Sequence, residues 1–476
     1  MSICDGRIEI LIRPPFARKF FRSEKRRCEF SEMYDPAMLP RVRSHATIQA
    51  YSRCCPAIVA TFSKSGGINM LKRRGFLCSL PVTLAAAGHV SRVGSRQAMA
   101  SPLRYDEIGT YDLSKLKAIL NEERQSEGFG KFPVEYPESK NAVKLYRIRY
   151  ESVIPEQDNK PTVASGLVAV PATKSDRYPL LSYQHGTTFG RTTCPSHPEN
   201  SYETRLMIAR FAGNGYVLIA PDYFGKGLST EPDSYTVRDS TRQACLDMLN
   251  ASKHVLADLK VNTGKLFLTG WSQGGWATMT FLEKLESLGV EVAAASTASA
   301  FNDLLASVQR WVLGHADSDA EYIAACYTLN LFSYENYHDI KGLTSWAIRP
   351  QYHEAAGKLY RGEIDYAAFR TATTGSIVEY LTPEFVRAME MPQGRYFDLV
   401  RRAEAYRWRR KTPLHSVFGQ IDEACTPYVA KLPSAYMPLT GGSETEAIDA
   451  GPQADHRGAF LYAVNHQKDW FDQLSG

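Results

Sequence analysis

Between residues 143 and 300, short apolar runs alternate with amphipathic segments. Val143–Tyr150 alternates apolar and polar positions as a half-buried strand does, and Ser165–Pro171 follows as its antiparallel partner. Apolar runs at Tyr178–Thr187, Gly215–Tyr223, Leu266–Leu268 and Glu291–Ser296 read as further strands, while Val237–Leu259 and Thr278–Leu285 carry apolar residues at helical spacing. Strands alternating with helices predict an α/β protein whose mostly parallel sheet is covered by helices on both faces.

Residues 301–410 break that rhythm. They hold many aromatics, including Trp311, Tyr322, Phe332, Tyr334, Trp346 and Tyr360, on segments of helical pattern, and Thr382-Pro383-Glu384 opens one helix with a capping residue followed by proline. The stretch reads as a helical cap or lid inserted over the C-terminal edge of the sheet; the alternative is a helical layer that never meets substrate. The sheet resumes at Leu414–Gly419, and a loop over Ala450–His456 precedes the apolar segment Ala459–Val464. The core is therefore expected over 143–300 and 411–476. Residues 101–142 form a polar lead-in whose best helix is Leu113–Leu120.

Charge divides the chain. The first 100 residues hold 17 Lys and Arg against 6 Asp and Glu, whereas residues 101–476 hold 39 against 45, so the net charge of +5 belongs to the leader. A mildly acidic body removes the reason to expect nucleic acid as a partner. The leader contains Lys72-Arg73-Arg74, the mostly apolar Cys78–Ala87, and Ala98-Met99-Ala100 before Ser101, and so resembles a twin-arginine export signal. That resemblance implies an exported, periplasmic or extracellular protein cleaved after Ala100. Residues 70–100 are then the signal, and residues 1–69 an unusual extension or the product of an upstream start codon. The apolar run is too short for a stable membrane span, which needs about 20 residues.

The chemistry centres on Gly270-Trp271-Ser272-Gln273-Gly274. A Gly-x-Ser-x-Gly turn between strand and helix holds its serine in a strained conformation, and the small flanking residues allow the tight fold. A serine hydroxyl needs a base, and the base needs a group to fix its tautomer. In strand–turn–helix sites of this kind the chain order is Ser, acid, His. Asp422 lies 150 residues after Ser272, and His456 a further 34 on, each in a loop of the resumed core. Glu423 is the rival acid. His466 lies further along the terminal helix, and His415 precedes Asp422, against the order. The oxyanion donors are expected from the amides of Gln273 and Thr187, with Gly186 and Thr188 as neighbouring choices for the second. His185 and Asp222 read as structural.

Taken together, Tyr183-Gln184-His185-Gly186-Thr187, Ala220-Pro221-Asp222-Tyr223, the serine turn and the Asp422 and His456 loops resemble the α/β-hydrolase superfamily, most nearly secreted bacterial esterases and secretory lipases. The resemblance covers roughly residues 143–476. It implies a serine carboxylic-ester hydrolase acting through Ser272, His456 and Asp422 on a small-molecule or lipid-like ester, with no cofactor. A serine peptidase or an acyltransferase on the same fold are the alternatives, with a non-catalytic binding protein behind them. The peptidase reading, similar to prolyl oligopeptidases, lacks room for a propeller, since only about 40 residues separate the signal from the first core strand. No Cys or His spacing suggests a metal site. Cys194, Cys245, Cys326 and Cys425 could pair in three ways, with no spacing that selects among them.

Overall fold

The computed structural model describes residues 103–121, 129 and 132–475. The expected extension, signal and cleavage point lie outside them. The described chain builds one nine-stranded sheet in the order β1-β2-β3-β5-β4-β6-β7-β8-β9. The strands are β1 (Arg104–Tyr111), β2 (Val143–Ile154), β3 (Lys160–Pro171), β4 (Tyr178–Gln184), β5 (Val217–Pro221), β6 (Thr263–Trp271), β7 (Ala294–Ala298), β8 (Leu414–Phe418) and β9 (Thr445–Asp449). Neighbours from β5 through β9 pair in parallel, and β1, β2 and β3 join antiparallel.

Strand geometry explains why the apolar runs are continuous. Successive side chains leave a strand on opposite faces, so a strand covered on both sides must be apolar throughout. In β5, Val217 and Ile219 enter one core while Leu218 and Ala220 enter the other; in β6, Leu268 and Phe267 divide the same way. The first core is closed by helices α3 (Arg238–Asp258) and α4 (Gln273–Ser287), through Met248, Leu249, Trp276 and Phe281. The second is closed by α1 (Leu113–Asn121), α2 (Tyr202–Arg210) and α15 (His456–Ser475), through Leu116, Met207, Phe460 and Phe471.

Between β7 and β8 the chain forms eight helices. They are α5 (Leu304–Leu313), α6 (Ile323–Tyr337), α7 (Leu343–Ala347), α8 (His353–Arg361), α9 (Tyr366–Ala372), α10 (Ile377–Tyr380), α11 (Pro383–Ala388) and α12 (Arg395–Arg402). Thr382 caps α11, its hydroxyl accepting from the Phe385 amide at 3.2 Å. These helices share the first core, and the Trp276 indole donates to the Ala403 carbonyl at 2.7 Å, binding the segment to α4. The short helices α13 (Pro427–Ala430) and α14 (Leu432–Thr440) lead to β9.

Two strands correct the sequence reading. The lead-in carries β1 as well as its helix, so the sheet begins near residue 104 and not at 143. Its residues are mostly exposed, and Ile108 is an extra residue between Glu107 and Gly109 that shifts the register opposite β2, which breaks the alternation that would have revealed it. The far edge strand, β9, is equally polar, with Glu446 and Asp449 exposed, as suits a strand that must not recruit another.

Candidate active site

The chain folds tightly around Ser272 because Gly270 and Gly274, two residues away on either side, have no side chains to obstruct it. Ser272 stands between the last residue of β6 and the first of α4 with φ 54° and ψ −122°, a conformation that costs a non-glycine residue about 1–3 kcal/mol. Its amide donates to the Ala298 carbonyl of β7 at 2.9 Å, which holds the turn against the sheet. A Cβ on Gly274 would stand 2.0 Å from the Gln184 carbonyl oxygen, and one on Gly270 2.3 Å from that of Gly274. Gln273 is the first residue of α4, where an amide has no acceptor within the helix.

Asp422 and His456 meet across 34 residues of chain. His456 Nδ1 lies 2.9 Å and 3.1 Å from the two Asp422 carboxylate oxygens, and both side chains are almost wholly buried. Asp422 Oδ1 also accepts from the amides of Ala424 and Cys425, at 3.0 Å and 2.7 Å, so the acid is fixed before it meets the ring. Glu423 faces elsewhere: Oε2 accepts the His456 amide at 2.9 Å and Oε1 the Tyr322 hydroxyl at 3.3 Å. Burial by itself depresses the His456 imidazolium. The Asp422 charge and hydrogen bond outweigh it, with Glu423 adding to them, and the pKa stands above its ordinary 6.5.

Ser272, His456 and Thr187 line one cavity of about 470 Å³. Many aromatic side chains stand in its walls, Phe129, Phe189, Tyr235, Trp311, Tyr322 and Tyr366 among them. Trp311, Tyr322 and Tyr366 come from the segment between β7 and β8, so that segment forms part of the chamber. It is also fastened to the acid's loop: Trp311 Nε1 donates to the Ala424 carbonyl at 2.7 Å and the Ala320 amide to the Glu423 carbonyl at 3.1 Å.

His415, His466 and Asp222 lie outside this constellation. His415 and His466 pair with each other, Nδ1 to Nε2 at 2.9 Å. Asp222 is buried, accepting the Ser165 hydroxyl at 2.6 Å and the Ser196 amide at 2.8 Å. The Gly186 amide is committed to Glu203 Oε1 at 2.8 Å, which removes Gly186 from the choice of oxyanion donors. Glu203 has no signature in the sequence: one acid in a helix carries no motif, and only its burial among three donors marks it. Cys194, Cys245, Cys326 and Cys425 are all free and buried. Among the described residues, no three His, Cys, Asp or Glu side chains are grouped to hold a metal ion, and no helix is long and apolar enough to cross a membrane.

No protein-family model and no curated protein sequence matches the chain. Solved structures do. A proposed hydrolase from Legionella pneumophila is 22% identical, with a TM-score of 0.70 over 78% of this chain and 97% of that one. LipA, a rice cell wall degrading esterase from Xanthomonas oryzae, is 19% identical, with a TM-score of 0.67 over 79% and 99%. Candida antarctica lipase A in its closed state is 15% identical, with a TM-score of 0.52 over 70% and 79%. At such identities the likeness is one of fold. With the sheet order and the helices on both faces, it gives this chain the α/β-hydrolase fold.

Proposed function

We propose that the protein is a secreted serine carboxylic-ester hydrolase. The observation that carries the reading is the convergence on one aromatic chamber of a serine at a strained strand–helix turn and a buried histidine bonded to an aspartate. Fold alone would not suffice, because one fold hosts many chemistries. Ser272 attacks the acyl carbon as His456 takes its proton. Asp422 keeps the His456 proton on Nδ1, so Nε2 is free to act as base, and stabilises the imidazolium that forms. The oxyanion is received by the amides of Gln273 and Thr187. His456 then protonates the departing alcohol, and water repeats the sequence on the acyl-enzyme. The aromatic walls suit an apolar or aromatic acyl group, and the 301–410 segment acts as the cap that closes over it. The esterase and lipase among the structural neighbours agree with this chemistry.

Export follows from the leader, and the mature chain is proposed to begin at Ser101. N-terminal sequencing of secreted protein tests that point. For the activity, p-nitrophenyl esters of graded chain length should be turned over by the wild type and labelled fluorophosphonate should mark Ser272. Ser272→Ala should lose both; retention of wild-type turnover would remove the mechanism.

A further inference from the structure

Beside the proposed mechanism, which it takes as its premise, we propose that Glu203 is a positioning residue that clamps the loop after β4 to the turn after β6 and so sets the spacing of the two oxyanion amides. Glu203 lies in the first turn of α2 and is 7% exposed. Its Oε1 accepts the Tyr183 hydroxyl at 2.6 Å and the Gly186 amide at 2.8 Å, and Oε2 accepts the Trp271 indole at 2.6 Å. These donors belong to the end of β4, the loop beyond it, and the residue immediately before Ser272. Thr187 directly follows one anchor; Ser272 and Gln273 directly follow another.

The clamp fixes orientation as well as distance. His185 Nδ1 lies 2.7 Å from the Gly186 carbonyl oxygen, so the carbonyl and amide of Gly186 are both held. In a planar trans peptide the Thr187 N–H must then point away from that carbonyl. The fit is close: a Cβ on Gly186 would stand 2.8 Å from Trp271 Nε1 and 3.1 Å from Glu203 Oε2. No Lys or Arg among the described residues forms an ion pair with Glu203. A buried carboxylate held by neutral donors alone is costly, and removing it leaves three donors without their acceptor. Groups aimed at a developing charge act through fixed geometry, so loosening them should weaken transition-state binding more than substrate binding.

Glu203→Gln supplies the test. A carboxylate only accepts, whereas an amide with its oxygen toward Tyr183 and Gly186 turns an NH2 toward the Trp271 N–H. The expected result is a fall in kcat of about 10- to 100-fold with KM within about twofold, and a matching loss of affinity for a boronic acid that forms a tetrahedral adduct on Ser272. Glu203→Gln combined with Trp271→Phe removes the opposed donor and should recover part of the lost kcat. A purely architectural role predicts a lowered Tm and losses that accumulate in the double variant. Should Glu203→Gln not fold, Tyr183→Phe removes one donor from the same carboxylate and should lower kcat several-fold at unchanged KM. Wild-type kcat and boronate affinity in Glu203→Gln, or in Tyr183→Phe where only that variant folds, overturns the clamp, as does a double variant no faster than the single. Wild type and Ser272→Ala run alongside: Ser272-independent turnover would sink the serine mechanism itself, whereas Ser272-dependent turnover with a fully active Glu203→Gln sinks the clamp alone.

Discussion

His456 Nδ1 stands between the two carboxylate oxygens of Asp422, at 2.9 Å and 3.1 Å, in a position closed to solvent. Two opposed effects act on the ring, burial pushing its pKa down and Asp422 pushing it up, and the second prevails. Asp422→Asn should therefore do two things. Loss of the tautomer-fixing acceptor should lower kcat by about four orders of magnitude, as in serine proteases altered the same way. With burial left unopposed by that charge, the ring's pKa should also fall. Single-turnover acylation rates against pH measure both.

The wild-type pH profile follows from the same balance. A base works when deprotonated, so kcat/KM should rise with pH and the midpoint of the rise should lie above 6.5. The sign for stability is opposite. A folded-state pKa above the unfolded value means that protonated His456 stabilises the native state; this contribution is complete below pH of about 6.5 and disappears as pH rises through the folded pKa. Urea titrations between pH 5 and 9 should show that component in the wild type and lose it in Asp422→Asn.

Glu423 gives a finer test. Its carboxylate holds the His456 amide and the Tyr322 hydroxyl, not Nδ1, and its charge adds to the rise of the His456 pKa. Glu423→Gln should move the ascending limb to lower pH by less than Asp422→Asn does, and should reduce kcat by less than about tenfold. A loss equal to that of Asp422→Asn would make Glu423 the orienting acid.

What the sequence reveals tracks how much each residue's surroundings are local. The two-faced strands β4, β5 and β6 are legible because burial on both sides demands continuous apolar residues, and the serine turn is legible because its glycines sit at fixed offsets. Asp422 and His456 follow from chain order. β1 and β9 are hidden because an edge strand has one neighbour and little burial, so nothing forces a pattern on it. Glu203 is hidden for a different reason: its donors come from residues 183, 186 and 271, and no local spacing encodes that meeting.

Gly274 should tolerate nothing larger. The Cβ of Gly274→Ala would sit 2.0 Å from the Gln184 oxygen and 2.6 Å from that of His185, both backbone atoms, at the end of β4 and the start of the loop beyond it. Neither can yield without moving β4 or the loop that carries Thr187. Overpacking of this kind costs about 1–3 kcal/mol, occasionally more. The expected result is a lower Tm together with a loss of activity larger than the unfolded fraction explains, read from residual activity well below Tm.

The cysteines lead to a prediction about redox conditions. All four described thiols are buried and unpaired, so no disulfide among them contributes to the stability of the described chain. Cys326 and Cys425 line the chamber itself, within reach of a small reagent. Reactivity nevertheless depends on the thiolate. Burial pushes Cys326 up to about 12 and raises Cys425 as well, with Asp422 adding to the latter. At pH 8 a thiol with a pKa of about 12 is ionised in only about one molecule in 10⁴. Ester turnover should thus be unchanged by dithiothreitol, and iodoacetamide should leave the native enzyme active over hours at pH 8. In guanidinium chloride the four thiols should alkylate fully, as counted by mass spectrometry of tryptic peptides. Rapid alkylation of Cys326 in the native protein would mean that its thiolate is stabilised in the chamber, against the desolvation argument.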